Sequence, residues 1–128
     1  MAPGRPFETL TVLVADDDPD MRLYLRGCLH GFGVARVLET ADGANALRHA
    51  RAAAVDIVIS DLVMPGLDGV SLSAALKADA HTHHIRVLLV SGESDGLPAG
   101  TPADGFLAKP FNAAGLRSAI DLLLARPA

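Results

Sequence analysis

Two hydrophobic patterns alternate along this chain. Short apolar runs rich in β-branched residues predict buried strands. These runs lie at Thr9–Ala15, Val34–Thr40, Ile57–Ser60, Arg86–Val90 and Gly105–Ala108. Apolar residues recur at spacings of three and four in the segment after the first strand and in the segment after the last strand. This spacing is typical of one face of a helix.

Local signals predict where the helices begin and end. Asp18 is a favoured N-cap and Pro19 suits a first helical turn, so the first helix begins there. Gly31 and Gly33 end this helix, and Asn112 can cap the last one. The remaining predicted helices are Ala44–Ala54 and Val70–Ala78.

The order of these elements predicts the fold. Strands that are apolar on both faces and separated by helices form parallel sheets covered on both sides. Right-handed crossovers then give a doubly wound α/β sandwich with five strands. The connection Gly92–Asp104 is rich in glycine and proline, so we expect the fourth helix there to be short or irregular.

Length and composition narrow the class of protein. The chain has 128 residues, of which 50% are hydrophobic, so it can form one domain with a real core and is not disordered. We expect residues 1–128 to be a single domain, with its core at about 9–125 and no output domain. A net charge of −4 and the lack of a basic run argue against direct nucleic-acid binding.

The same features predict a compartment. No apolar run approaches the ~18 residues that span a bilayer, and the first eight residues lack the apolar core of a signal peptide. The single cysteine, Cys28, cannot form an internal disulfide and fits a reducing compartment. We therefore expect a cytoplasmic protein without a membrane partner, and we interpret Cys28 as a small core residue.

Chemically active side chains follow the predicted strands. In doubly wound sheets, ligands bind at the carboxyl ends of the strands. Asp16 and Asp17 follow the first strand, Asp61 follows the third, Ser91 the fourth and Lys109 the fifth. We expect these three carboxylates, the hydroxyl and the amine to meet at one edge of the sheet.

The charges predict what such a site binds. Neighbouring carboxylates repel one another at neutral pH unless a cation neutralises them, and Mg²⁺ takes one or two carboxylates together with several waters. Lys109 would add a positive charge on the far side of the acids. A metal ion and an amine facing one carboxylate suit a phosphoryl group, whose transfer depends on positioning and charge neutralisation.

Four segments together resemble the receiver domain of response regulators, the phosphoacceptor module of bacterial two-component signalling. They are Val12–Met21 (VLVADDDPDM), Asp56–Gly69 (DIVISDLVMPGLDG), Val87–Gly92 (VLLVSG) and Gly105–Phe111 (GFLAKPF). They span nearly the whole chain and occur in the family's order. The resemblance implies a flavodoxin-like sheet with the strand order 2-1-3-4-5.

The resemblance also implies roles for individual residues. Asp61 matches the phosphorylated aspartate. Asp17, Asp61 and the backbone carbonyl of Val63 match the direct Mg²⁺ ligands. Asp16 matches an acid that acts on the metal through water, and Lys109 matches the lysine that binds a phosphoryl oxygen.

Two further positions match the conformational switch of the family. Ser91 matches the hydroxyl residue that moves towards the phosphoryl group, and Phe106 matches the aromatic residue that turns inward with it. The Lys109-Pro110 bond matches a position that is typically cis. The resemblance thus implies a phosphorelay protein and not a classical enzyme. Its phosphoryl donor is a histidine kinase or phosphotransfer protein, and its downstream partner is unknown.

The chain departs from the family at three places. Phe106 has no hydroxyl, where many receivers have Tyr. Val63 is apolar, where many receivers carry a polar side chain. The stretch from Ser91 to Lys109 is shorter than is common by about one helical turn. This shortening weakens the case for output through a fourth helix.

Two other functions remain open. Asp16 and Asp18 form the Asp-x-Asp pair of a haloacid-dehalogenase-type phosphatase, in which Asp16 would be the nucleophile. Alternatively, a degenerate receiver would serve as an unphosphorylated scaffold. The run His81-Thr82-His83-His84 suggests a metal site, but without further histidines or cysteines nearby we interpret it as a solvated loop.

Overall fold

A computed structural model describes residues 6–92 and 97–126. These residues form five strands and four helices, preceded by the short 3₁₀ helix Phe7–Thr9. The strands are β1 (Thr11–Ala15), β2 (Arg36–Thr40), β3 (Ile57–Asp61), β4 (Arg86–Ser91) and β5 (Gly105–Ala108). The helices are α1 (Pro19–Gly31), α2 (Gly43–Ala52), α3 (Gly69–Ala78) and α4 (Ala113–Ala125).

The strands form one parallel sheet in the order β2-β1-β3-β4-β5. This order confirms the predicted flavodoxin-like, doubly wound architecture. Because all the strands run in the same direction, their carboxyl ends lie at one edge of the sheet. That edge carries the candidate residues.

The core has two layers, one on each face of the sheet. Successive residues of a strand point to opposite faces, so Val12 and Val14 of β1 pack in one layer while Leu13 and Ala15 pack in the other. Helices α1 and α4 cover the first layer, whereas α2 and α3 cover the second. The sheet is therefore buried on both faces, as its apolar strands predicted.

Both ends of α1 follow the predicted signals. The Asp18 carboxylate accepts a hydrogen bond from the Asp20 N–H at 3.0 Å and caps the helix. At the other end, Gly33 has φ +87, a left-handed conformation that glycine adopts without a steric penalty. Its N–H donates to His30 O, and Val34 N donates to Leu29 O, which closes the helix with a Schellman motif.

Two predicted strands begin too early. Thr9 belongs to the 3₁₀ helix, because its N–H and hydroxyl both donate to Pro6 O, at 3.0 and 2.7 Å. Val34 is held by the end of α1, so β2 begins at Arg36 and not at Val34. Local hydrogen bonds that compete with the sheet explain both errors.

The connection between β4 and β5 lacks a regular helix in its described part. Residues 97–104 form a turn and irregular backbone, which confirms the expectation for this segment as far as the structure describes it. Among all described residues, no helix is long and apolar enough to cross a bilayer.

Candidate functional site

The sheet brings four of its strand ends together at the candidate site. Asp16 directly follows β1, Asp61 is the last residue of β3, Ser91 is the last residue of β4, and Lys109 directly follows β5. Neighbouring strands end in register, with Asp61 opposite Val90. The predicted meeting of these residues at one edge is therefore present.

Three carboxylates form an acidic cluster at this edge. Carboxylate oxygens of Asp16, Asp17 and Asp61 all lie within 4.8 Å of one another. Asp16 is only 1% exposed, Asp61 is half-buried and Asp17 is exposed. Among the described residues, this is the one group of three or more acidic, histidine or cysteine side chains close enough to share a metal ion.

Lys109 supplies a positive charge beside the acidic cluster. Its Nζ lies 3.5 Å from Asp61 Oδ1 and 3.8 Å from Asp16 Oδ2. Its backbone N–H donates to Ser91 O at 2.8 Å, which ties the end of β5 to the end of β4. The Lys109-Pro110 peptide bond is cis, as the resemblance to receivers implied.

The pKa of Asp16 reflects the burial of its carboxyl group and the charges around it. Burial raises the pKa of Asp16 above its ordinary value, and the nearby Asp61 and Asp17 raise it further. The hydrogen bond from the Asp18 N–H and the charge of Lys109 act in the opposite direction. Since the upward effects dominate, the site favours an added positive charge, and an oxygen-rich donor set of this kind fits Mg²⁺.

Three hydrogen bonds hold the backbone and side chain of Asp16. Its N–H donates to Thr40 O at 3.1 Å, and its Oδ1 accepts from Asp18 N at 2.9 Å. The guanidinium of Arg22 donates to the Asp16 carbonyl at 2.6 Å. Sequence reasoning missed Arg22, because an arginine on the polar side of a helix carries no signal of what it contacts.

Gly69 shapes the loop that follows Asp61. A Cβ at this position would lie 2.5 Å from Asp61 O, closer than real Cβ contacts allow. The Gly69 N–H donates to Leu62 O at 2.9 Å, so α3 begins directly beside the end of β3. The intervening loop leaves Val63 64% exposed at the edge of the site.

The two predicted switch residues lie in neighbouring strands. Ser91 is buried, at 2% exposure, and pairs across the ladder with Ala108. Phe106 is half-buried in β5 and lines a surface pocket together with Leu122 and Leu123. Their roles in switching stay predictions.

The histidine run at residues 81–84 and Cys28 both have contacts that explain them as parts of the fold. The buried Thr82 hydroxyl donates to Leu76 O at 2.7 Å, and the His81 N–H donates to Asp79, so the histidine run is part of an ordered turn. Cys28 is partly buried and packs against the core, which agrees with its interpretation as a core residue.

Comparison with known proteins identifies the family. The response regulator receiver domain family matches residues 12–121. The chain belongs to this family. Receiver domains are signalling modules of two-component systems and not classical enzymes.

Relatives of this receiver domain occur in two contexts. The chemotaxis protein CheY-3 of Vibrio cholerae is 30% identical over 125 residues, which cover 93% of this chain and 95% of that protein. Histidine kinase P4 of Formosa agariphila is 32% identical over 124 residues, which cover 91% of this chain but 9% of the kinase. The receiver is thus similar both to a protein of its own size and to a small part of a histidine kinase.

A solved structure supports the same fold. The response regulator TrrA of Thermotoga maritima, crystallised in complex with Mg²⁺-BeF, superposes with a TM-score of 0.82. It is 26% identical, and the match covers 90% of this chain and 99% of TrrA.

Proposed function

We propose that this receiver accepts a phosphoryl group on Asp61 and thereby changes the protein to which it binds. The observation that carries this proposal is the position of Lys109 Nζ, 3.5 Å from an Asp61 oxygen beside an acidic cluster. Lys109 can pair with a phosphoryl oxygen, and the acids can hold the Mg²⁺ that neutralises the remaining negative charge.

The proposed transfer forms one bond and breaks one. An Asp61 oxygen attacks the phosphorus of a phosphohistidine, forming an acyl phosphate. The phosphorus–nitrogen bond breaks, and its electron pair remains on the imidazole nitrogen, which takes up a proton. Lys109 then donates a hydrogen bond to a phosphoryl oxygen and balances part of the added charge.

Asp16, Asp17, Asp61 and the backbone carbonyl of Val63 would hold Mg²⁺. When bound, Mg²⁺ neutralises charge on the acids and on the phosphoryl oxygens. Asp17 and Asp61 offer direct carboxylate ligands, while Asp16 is suited to act through water. Carboxylate oxygens of the three acids lie within 4.8 Å of one another, which supports this assignment.

The phosphoryl donor is a histidine kinase or a phosphotransfer protein. The similarity to part of a histidine kinase supports such a partner, and we place the reaction in the cytoplasm. After transfer, the Ser91 hydroxyl moves towards the phosphoryl group and Phe106 turns inward, so the surface around β5 changes. The downstream protein binds to this changed surface.

Labelling by acetyl phosphate with Mg²⁺ tests the proposal. We expect the wild-type protein to form an acid-labile adduct and Asp61→Asn to form none. Asp18→Asn is the matched control, because asparagine also caps helices and should leave most of the labelling intact.

Each remaining result points to another function. Persistent labelling of Asp61→Asn that is lost in Asp16→Asn would indicate phosphatase-type chemistry at Asp16. Wild-type protein that is never labelled, by acetyl phosphate or by a kinase, would indicate an unphosphorylated scaffold.

A further inference from the structure

We infer that Arg22 is a positioning residue that holds the turn from Asp16 to Asp17 in the shape that binds Mg²⁺. This inference rests on the proposed function of the site. Arg22 lies on α1, directly after the receiver-like segment Val12–Met21 and outside it. Arg22 reaches the site through the backbone, because its Nη1 donates to the Asp16 carbonyl at 2.6 Å.

The Asp16 carbonyl belongs to the peptide that joins the two adjacent acids. Rotation of this peptide changes the direction of the Asp17 chain and therefore the separation of the two carboxylates. A charge-assisted hydrogen bond is stronger than a neutral one, so the guanidinium restrains this rotation effectively. On the other side, the Asp16 N–H is bonded to Thr40 O.

Glu39 of β2 forms a long ion pair with Arg22. Its Oε1 lies 3.9 Å from Arg22 Nε, and the side chains of Arg22 and Glu39 are only 22% and 26% exposed. Glu39 pairs with Val14 in the sheet, two residues before Asp16. The sheet thus places a carboxylate beside the arginine, whose hydrogen bond to the Asp16 carbonyl restrains the turn.

Arg26 provides a matched control on the same helix. Its Nη1 lies 3.0 Å from Glu39 Oε2, so it shares the partner of Arg22. Within the described part of the chain, Arg26 bonds to Glu39, whereas the Asp16 carbonyl accepts from Arg22. A comparison of the two arginines therefore isolates the bond to Asp16 from the loss of one positive charge and of one ion pair with Glu39.

A positioning role and a purely electrostatic role of Arg22 predict opposite changes in Mg²⁺ affinity when the side chain is removed. Removing a positive charge near a cation site should, by charge alone, tighten Mg²⁺ binding. Removing a residue that orients the ligands should weaken it, and the loss of such an outer contact commonly costs 10-fold or more in metal affinity.

The test measures the Mg²⁺ dissociation constant by isothermal titration calorimetry for wild type, Arg22→Met, Arg22→Lys and Arg26→Met. We expect Arg22→Met to raise the dissociation constant about 10-fold. Arg22→Lys keeps the charge but loses the planar fork, so its constant should rise by a smaller factor. Arg26→Met should stay within about twofold of wild type.

A second readout separates positioning from loss of the folded state. In Arg22→Met, the acetyl phosphate labelling rate should fall at low Mg²⁺ and recover at saturating Mg²⁺. Unchanged or tighter Mg²⁺ binding in Arg22→Met, or equal weakening in Arg26→Met, would overturn the inference. If Arg22→Met does not fold, unchanged affinity in Arg22→Lys overturns it instead.

Failure of the proposed function gives a different pattern. A wild-type protein that binds Mg²⁺ but is not labelled on Asp61 would contradict phosphoacceptance. The ratio of dissociation constants would still decide the role of Arg22.

Discussion

The two halves of the site are built differently. The acid half contains Asp16 and Asp17 and is held by β1, β2 and α1. The amine half contains Ser91 and Lys109 and is held by β4, β5 and the connection between them. In the acid half, Asp16 is fixed by bonds to Thr40, Asp18 and Arg22.

In the amine half, the Lys109 N–H donates to Ser91 O at 2.8 Å beside the site, and the described part of the connection is irregular. In the connection, the turn at Pro98–Thr101 has a backbone hydrogen bond of 3.2 Å. Just before β5, Asp104 accepts from Lys77 Nζ at 2.7 Å and from Val87 N at 2.8 Å. These bonds fasten β5 at its start, so the irregular backbone of residues 97–103 is what distinguishes the amine half from the acid half.

This difference fits the different functions of the two halves. Repelling carboxylates need a rigid frame, because small displacements change their mutual repulsion strongly. A hydroxyl and an aromatic side chain that respond to phosphorylation need a region with a low cost of local rearrangement.

The largest expected effect is in hydrogen exchange. Amides of β4 should exchange at least about 1,000-fold more slowly than those of residues 97–103, a difference of about 4 kcal/mol in opening free energy. Asp104 N, bonded to Val87 O at 2.9 Å, should mark the protected boundary. Exchange in 97–103 as slow as in β4 would contradict the contrast.

Loss of the Asp104 contacts should destabilise the fold. Asp104→Ala leaves Lys77 Nζ half-buried without its acid and Val87 N without its acceptor. We expect a loss of about 2 to 3 kcal/mol in the free energy of unfolding, measured by urea denaturation. Arg51→Met is the control, because its pair with Asp79 is more exposed and should contribute less than about 1 kcal/mol. Equal losses in the two variants would argue against a special role for Asp104.

Asp16→Asn should stabilise the protein in the absence of Mg²⁺. Because the pKa of Asp16 is raised in the folded state, the folded protein binds more protons than the unfolded one, and its stability falls as pH rises. Asparagine removes this penalty while it keeps an oxygen for the Asp18 N–H. We therefore expect the free energy of unfolding of Asp16→Asn at neutral pH to exceed that of wild type.

The pH dependence identifies the cause of that gain. It should be complete above the folded pKa of Asp16 and should disappear as pH falls below the ordinary aspartate value, as followed by thermal melting. Saturating Mg²⁺ should stabilise wild type more than the variant. A gain that does not depend on pH would exclude charge repulsion as its origin.

The smallest expected effect concerns the lifetime of the phosphorylated state. Val63 is exposed at the edge of the site and cannot hydrogen-bond a water, so it only shields the phosphoryl group. Val63→Asn should speed autodephosphorylation by a factor of about 3 to 10, or about 0.7 to 1.4 kcal/mol of barrier. Phosphate release from labelled protein with excess Mg²⁺ measures this rate. An unchanged or slower release would show that Val63 does not limit water access. The resemblance to receivers implies that Glu93, two residues past Ser91, also lines this approach, and Glu93 lies outside the described residues.

Much of the fold could be predicted from local patterns. Apolar runs predicted all five strands, and the N-caps Asp18 and Asn112 both accept hydrogen bonds from the helices that they begin. Strand ends also predicted which acids would meet. These features repeat along an element or depend on neighbours within a few residues, so the sequence alone contains them.

The tertiary structure decided the contacts that hold the site. Arg22 could face several partners on its side of α1, and only the packing of α1 against β1 and β2 brings it to the Asp16 carbonyl and Glu39. Lys77 and Asp104 are 27 residues apart and pair because α3 and the start of β5 lie side by side. Such bonds depend on ångström-scale positions of single side chains, which hydrophobic periodicity does not specify.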